Sequence, residues 1–196
     1  MSIKKNTNYD FEARKQYEES FVQYNSTLIQ DITWASTVLN YSTTELDRLA
    51  GIDAVLQIGG KLVGIALRIR KPTWKQYSKR FTLGHHRSKP NSQIHTILNV
   101  DNADECFVPH LLLQVNGVDE NGYCEECNAI LIQTNVFAPF LKDLIETNKI
   151  ESYYISKLDA YEFEMRDVWT QTDTGVDLYH IKNNTIKNVW ANKTSD

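Results

Sequence analysis

An acidic and a basic side chain are predicted to share one face of a β-hairpin near the middle of the sequence. Residues 51–72 read GIDAVLQIGGKLVGIALRIRKP, two runs rich in Val, Ile and Leu around the pair Gly59–Gly60. Two adjacent glycines tolerate the positive φ angles of a two-residue turn, and that turn sets the register of the strands. Asp53 is then expected opposite Ala66, with Arg68 two residues further along the same face.

The chemistry that this pairing suggests is metal-dependent cleavage of a phosphodiester. Such a reaction needs carboxylates to hold Mg²⁺ and a cation to stabilise the developing charge. Asp53 and Asp47 are the candidate magnesium ligands, and Glu45 is a polarising or substitute acid. Arg68 is the candidate electrostatic stabiliser, while Ala66 takes the place of a second acid on the hairpin. The alternative is an ordinary cross-strand pair of Asp53 with Arg68, worth about 0.2 to 1 kcal/mol.

The positive charge of the chain is concentrated in one acid-free segment. The formal net charge is −4, yet no Asp or Glu occurs between Asp53 and Asp101. This contrast suggests a localised site for a polyanion, with the alternatives that the cations merely solvate loops and that the aromatic residues are core. Nucleic acid, and DNA in particular, is the expected partner, because Lys and Arg bind phosphates and planar rings stack on unpaired bases. The candidate contacts are Arg70, Lys71, Trp74, Lys75, Lys79, Arg80 and Arg87.

A CxxC motif, Cys124–Cys127, lies near Cys106 and His110 in the sequence. These are the ligand types of a structural zinc site. If the runs 111–115 and 129–133 pair as a hairpin, however, His110 and the CxxC lie at opposite ends of it. No structural zinc is therefore expected, and the CxxC is interpreted as incidental or weakly redox-active.

The order of the elements favours an α/β (α+β) fold with a central mixed β-sheet and flanking helices. Helices are expected from about Phe11 to the mid-twenties, over Thr43–Leu49, and over about 137–147 with Pro139 in the first turn. Strands are expected in the hairpin, at 81–83, at 107–115 with 129–133, and as edge strands at 161–168, 176–181 and 185–190. The chain is expected to form one domain over residues 1–196, with residues 1–8 frayed.

The composition contains no targeting or membrane signal. The sequence has no run of eighteen apolar residues and no basic-then-apolar start, so neither a membrane span nor a secretory leader is expected. The cytoplasm is the default location. With 41% apolar residues among 196, the chain is long enough to bury a substantial core.

Short motifs around the hairpin resemble the PD-(D/E)XK nuclease superfamily. They are Asp47-x5-Asp53, the IALRIR run 65–70, the FTL run 81–83 and the SQIHT run 92–96. Over residues 43–98 they look like a set of largely uncharacterised phage and bacterial nuclease-like proteins. The resemblance implies a restriction-endonuclease-like core and a Mg²⁺-dependent deoxyribonuclease, in which Gln93 stands at the position of a catalytic Glu.

The expected function is therefore nucleic-acid binding by a PD-(D/E)XK-like core, with Mg²⁺-dependent deoxyribonuclease activity if catalysis is retained. The alternative is a catalytically inactive module that keeps the fold and binds nucleic acid or a protein partner. A further alternative makes the basic segment a docking surface for an acidic protein.

Overall fold

A seven-stranded mixed sheet lies at the centre of the fold. The structure is a computed structural model. It describes residues 11–41, 51–84, 93–98, 109–158, 160–172 and 175–189. The strands are β1 (Thr37–Tyr41), β2 (Ala54–Ile58), β3 (Lys61–Arg70), β4 (Arg80–Gly84), β5 (Leu111–Asn116), β6 (Glu126–Gln133), β7 (Tyr154–Ile155), β8 (Ala160–Glu164), β9 (Val176–Lys182) and β10 (Thr185–Asn188). The large sheet has the order β1-β2-β3-β5-β6-β9-β10, and a small sheet has the order β4-β8-β7. β3 and β5 run parallel, and the other neighbours run antiparallel.

Helices cover both faces of the large sheet. They are α1 (Phe11–Tyr24), α2 (Ser26–Thr33), α3 (Gln93–Leu98), α4 (Thr134–Glu146) and α5 (Met165–Thr172), with 3₁₀ helices at Pro72–Tyr77 and Ile150–Tyr153. One hydrophobic cluster joins α1 and α2 to one face, and a second joins α3, α4, α5 and the small sheet to the other. The predicted α/β class, a mixed sheet flanked by helices, is confirmed. No helix in the described part of the chain has the length and apolarity needed to cross a membrane.

The hairpin β2–β3 has the register predicted from its turn. Leu56 pairs with Val63, and Ala54 pairs with Ile65, which sets Asp53 beside Ala66 as expected. The turn glycines have φ angles of 56° and 80°, the left-handed conformation that glycine adopts without strain. The face of the hairpin opposite Asp53 and Arg68 is core, since its four central side chains are at most 1% exposed: Ala54, Leu56, Ile65 and Leu67.

A buried asparagine fastens α1 to the loop between β5 and β6. Asn25 donates through Nδ2 to Phe21 O at 2.8 Å and to Gly122 O at 2.7 Å, and its Oδ1 accepts from the Cys124 N–H at 3.3 Å. Gly122 permits this approach, because a Cβ there would lie 2.9 Å from the backbone nitrogen of Phe21. A side chain at position 122 would therefore push the helix away from the loop.

Four parts of the described fold differ from the sequence predictions. β1 was not predicted, and β9 is an internal strand between β6 and β10 rather than an edge strand. The run 161–168 divides into the end of β8 and the start of α5. α4 begins at Thr134, directly after β6, so Pro139 lies inside the helix and not in its first turn. The helix predicted over 43–49 lies outside the described residues.

The early start of α4 has a local cause. Thr134 donates its hydroxyl to Pro109 O at 2.6 Å and its N–H to His110 O at 2.9 Å. The second bond gives a partner to the Thr134 N–H, one of the backbone donors that the first turn of a helix would otherwise leave without one. The exposed ring of Pro139 is tolerated in the interior at the loss of one backbone hydrogen bond.

Candidate nucleic-acid interface

Asp53 lies immediately before β2, at the end of the hairpin opposite its turn. Its N–H donates to Ile65 O at 2.9 Å, and its Oδ2 accepts from the Leu67 N–H at 2.6 Å. The half-buried carboxylate therefore continues the pairing of β2 with β3, because it accepts a hydrogen bond from β3 as a backbone carbonyl of a longer β2 would. This contact gives the acid a structural use.

Of the three acids predicted for the magnesium centre, only Asp53 lies among the described residues. Glu45 and Asp47 lie outside the described residues, and Ala66 is only 6% exposed. Within the described ranges, no three His, Cys, Asp or Glu side chains come together as a metal site. Asp53, with one oxygen engaged by Leu67, does not by itself fit a centre built from several carboxylates. Asp53 is therefore the one predicted magnesium ligand among the described residues, and the magnesium site stays a prediction.

The structural use of Asp53 can be tested by comparing two substitutions. Asp53→Ala removes the acceptor for the Leu67 N–H and is expected to lower the free energy of unfolding by about 1–3 kcal/mol. Asp53→Asn retains a side-chain oxygen and is expected to cost less than about half as much. Urea denaturation measures both values. Equal losses from the two variants would contradict a role as hydrogen-bond acceptor.

Gln114 and Arg68 connect the large sheet to the outer edge of β4. Gln114, which is 1% exposed, accepts from the Thr82 N–H at 3.1 Å through Oε1 and donates to Arg80 O at 2.7 Å through Nε2. Arg68 donates to Thr82 O at 2.5 Å. The amide and the guanidinium thus take the place of a further strand beside β4, because they bond the backbone N–H and C=O groups along its outer edge. Arg68, predicted as a catalytic cation, lies in this bridge.

The hydroxyl of Thr82 completes a polar layer between the two sheets. It donates to Gln114 Oε1 at 3.1 Å and accepts from Arg68 Nη1 at 3.1 Å and Arg70 Nη2 at 2.8 Å. A hydroxyl offers one donor and two acceptor sites, so these bonds use its full capacity. Gln114 Nε2 also donates to Asn116 Oδ1 at 3.1 Å, which extends the layer along β5. We call these five residues the inter-sheet polar layer.

A row of cations and aromatic rings leads from this layer toward the surface. The guanidinium carbon of Arg70 lies 4.6 Å from the ring centroid of Trp74, and that of Arg80 lies 5.5 Å from the centroid of Tyr77. The two rings are 5.4 Å apart. Pro72 at the start of the 3₁₀ helix turns the chain back after β3 and so places Trp74 over Arg70. We call these four residues, Arg70, Trp74, Tyr77 and Arg80, the cation–aromatic row.

Two of the predicted phosphate-binding cations are engaged by acids from distant strands. Lys75 Nζ lies 2.7 Å from Glu126 Oε2, and Arg80 contacts Glu162 at 2.9 Å and Glu164 at 2.6 Å. The hydrogen bond to Glu164 raises the pKa of Arg80 above its usual value, and the hydrogen bond from Lys75 lowers the pKa of Glu126. These ion pairs reduce the charge that the segment presents to a polyanion.

The remaining predicted contacts divide into exposed lysines and positions beyond the described ranges. Lys71 and Lys79 are exposed and lie next in sequence to Arg70 and Arg80, the two arginines of the cation–aromatic row. Arg87 lies outside the described residues, and Gln93 is the first residue of α3. The structure therefore groups Arg70, Lys71, Trp74, Lys79 and Arg80 around one 3₁₀ helix.

The CxxC motif forms a Cys124–Cys127 disulfide at the start of β6, where Cys127 is the second residue of the strand. Both cysteines are buried, at 6% and 0% exposure. Leu111 pairs with Gln133 in the second hairpin, so His110 lies at the other end of that hairpin from the disulfide, as predicted. Cys106 lies outside the described residues.

Sequence reasoning missed the residues that organise this surface. Gln114 and Asn116 interrupt the apolar run of β5 with polar side chains at alternate positions, which was the available signal for a buried polar layer. Glu162 and Glu164 also alternate along β8 and so share a face. Their contact with Arg80 could not be read from the sequence, because 82 and 84 residues separate the partners.

Comparison with protein-family models, with curated proteins and with solved structures found no match to the chain.

Proposed function

We propose that this chain binds nucleic acid at the surface formed by the cation–aromatic row and its two flanking lysines, Lys71 and Lys79. The observation that carries the proposal is the cation–π contact of Arg70 with Trp74, in which the guanidinium carbon lies 4.6 Å from the centroid of the ring. The same pair offers a cation for a phosphate and a half-buried planar ring for an unpaired base. A PD-(D/E)XK-like core is part of this proposal and is supported by the register that sets Asp53 and Arg68 on one hairpin face.

The charge balance supports modest, salt-sensitive binding. Six cations lie between Arg68 and Arg80 with no acid among them in the sequence. Three glutamates from β6 and β8 contact two of these cations, which leaves an excess of three positive charges. Because an exposed pair is weak, a phosphate can compete for Lys75 and Arg80 at low salt.

The proposal covers binding and not hydrolysis. Cleavage would need acids in addition to Asp53, and Asp53 is engaged in strand pairing. The cytoplasm predicted from the sequence remains the expected compartment, because nucleic acid is accessible there.

Fluorescence anisotropy with a labelled single-stranded DNA, its duplex and the matching RNA tests the proposal. We expect the single strand to bind best, and log Kd to rise with log salt concentration with a slope of about 2 between about 50 and 300 mM NaCl. Lys71→Glu with Lys79→Glu is expected to weaken binding by about tenfold or more at low salt. Trp74→Ala is expected to weaken it by roughly fivefold or more, through the loss of base stacking.

The matched control is the pair Lys61→Glu and Lys187→Glu, which makes the same charge change at two exposed lysines on other parts of the large sheet. Equal losses from the control pair and the interface pair would show that net charge, and not this surface, governs binding. No binding at the lowest salt would overturn the proposal. Binding of polyglutamate as tight as that of DNA, unaffected by Trp74→Ala, would instead identify a docking surface for an acidic protein.

A nuclease assay on supercoiled plasmid with Mg²⁺ or Mn²⁺ tests whether the chain binds nucleic acid without cleaving it. We expect no cleavage above the background of a buffer control. Metal-dependent cleavage that disappears in Asp53→Asn would show that the hairpin is catalytic, because this variant retains the acceptor for the Leu67 N–H while losing the charge.

A further inference from the structure

A second candidate site lies between the end of α2 and the β9–β10 hairpin. It is a cleft of about 420 Å³, within the size range of small-molecule sites. Its lining residues are Asp31, Trp34, Tyr179, Asn184, Ile186 and Asn188. Neither the cation–aromatic row nor the inter-sheet polar layer contributes to it, so this cleft is independent of the proposed nucleic-acid interface.

Trp34 is held in this cleft at a conformational cost. Its backbone has φ 55° and ψ 27° at the left-handed end of α2, a position that favours Gly or Asn over a bulky residue. Its indole is 70% exposed, the largest exposed fraction among the large apolar side chains of the described residues. An exposed tryptophan in a strained conformation contributes little to the fold, and such strain is concentrated at functional positions.

The rest of the lining combines an apolar wall with hydrogen-bonding groups. Tyr179 is 5% exposed and directs its hydroxyl to Ile32 O at 3.5 Å, so its ring is held in place and presents little surface to the cleft. Asn184, at φ 60° in the β9–β10 turn, and Asn188 supply amide groups. Asn188 is oriented by a hydrogen bond from Nδ2 to Asp177 Oδ1 at 3.1 Å. Asp31 adds an exposed carboxylate.

The charge of the described lining disfavours anionic ligands. Among the described residues that line the cleft there is one Asp and no Lys or Arg, so a phosphate or a carboxylate would meet no opposite charge from them. An organic cation would need a cage of several accessible rings, yet the Tyr179 ring is almost wholly covered. An uncharged ligand with one apolar face and several hydroxyl groups fits the lining best.

We propose that this cleft binds a neutral saccharide, with the sugar ring stacked on Trp34 and its hydroxyls bonded by Asp31, Asn184 and Asn188. The C–H face of a pyranose is apolar and flat enough to pack on an exposed indole. Carboxylate and amide oxygens accept from the sugar hydroxyls, and amide N–H groups donate to them. Trp34 supplies the contact area, and the polar groups supply the selectivity among sugars.

NMR titration of the ¹⁵N-labelled full chain tests this inference. The probes are glucose, galactose, N-acetylglucosamine and cellobiose, each added to about 20 mM, which would saturate a site with a Kd near 1 mM. We expect at least one sugar to produce saturable shifts of the Trp34 indole N–H and of the Asn184 and Asn188 side-chain amides. Trp34→Gly is expected to abolish these amide shifts, or to weaken binding at least tenfold, while the melting temperature stays the same or rises because glycine relieves the positive φ.

Leu62→Ala is the matched control, since Leu62 is 65% exposed in the β2–β3 hairpin and lies outside the lining. It is expected to leave the titration unchanged. Asp31→Asn keeps hydrogen-bonding capacity without the charge, so sugar binding should fall less than about fivefold.

Four results would overturn the inference. The first is the absence of saturable shifts with all four sugars. The second is sugar binding that survives Trp34→Gly. The third is saturation of the Trp34 signal by choline with none by the sugars, which would identify an organic-cation site. A labelled DNA that shifts the Trp34 indole in place of the sugars would likewise contradict a saccharide site.

Discussion

Replacing Gln114 by Leu is expected to lower the free energy of unfolding by about 3–5 kcal/mol, although Leu is apolar and the site is buried. The side-chain amide of Gln114 uses both of its N–H donors and accepts two hydrogen bonds. Leucine would leave the Thr82 N–H and Arg80 O at the edge of β4 without those partners. Each buried unsatisfied backbone group costs about 1–3 kcal/mol, which is the source of the estimate.

Urea denaturation of Gln114→Leu, followed by far-ultraviolet circular dichroism, measures this loss. Gln133→Ala is the control, because Gln133 is an exposed glutamine at the end of neighbouring strand β6. Its substitution is expected to change stability by less than about 0.5 kcal/mol. If Gln114→Leu costs no more than the control, then water satisfies the edge of β4, and the inter-sheet polar layer is not a stability element.

The hairpins were the part of the fold that sequence could predict with their registers. Gly59 and Gly60 set the pairing of β2 with β3 through a turn of only two residues. Leu111 and Gln133 were likewise placed opposite each other. In both cases the information is local, because alternating burial and turn chemistry act over about 10–20 residues.

The roles of Asp53 and Arg68 were not predictable in the same way. Their positions on one hairpin face followed from the register, but their hydrogen-bond partners did not. Arg68 bonds Thr82 because β4 approaches the large sheet, and that approach depends on the packing of β4 against β8, whose residues lie about 80 positions later. The spacing of Asp53 and Arg68 predicts catalysis, and that stays a prediction. The contacts add that the carboxylate extends strand pairing and that the guanidinium covers a strand edge.

The charge of the basic segment was likewise not predictable from nearby residues alone. Counting charges between Asp53 and Asp101 finds no acid, which favours a strong polyanion site. In the structure, acids from β6 and β8 lie against Lys75 and Arg80. Net charge along a sequence window therefore overstates the local field, since the window omits the strands that pack beside it.

Phe137→Ala is expected to lower the free energy of unfolding by about 3–5 kcal/mol. Phe137 is fully buried at the junction of α4 with the small sheet, with ring centroids of Phe81 at 5.8 Å, Phe140 at 5.6 Å and Phe163 at 5.5 Å. The contacts with Phe81 and Phe163 are edge-to-face, so the ring holds β4 and β8 against the helix. Truncation would leave a cavity that three neighbouring rings cannot fill without moving β4.

Because β4 also carries Thr82 and Arg80, the same substitution should disturb the proposed interface. Thermal denaturation of Phe137→Ala and Phe137→Leu, combined with the anisotropy assay on the folded fraction, tests both effects. Leu fills most of the volume and is expected to cost about 1–2 kcal/mol. DNA affinity should fall for Phe137→Ala and stay within about twofold for Phe137→Leu. A destabilised Phe137→Ala that binds DNA with unchanged affinity would show that the position of β4 does not control the cation–aromatic row.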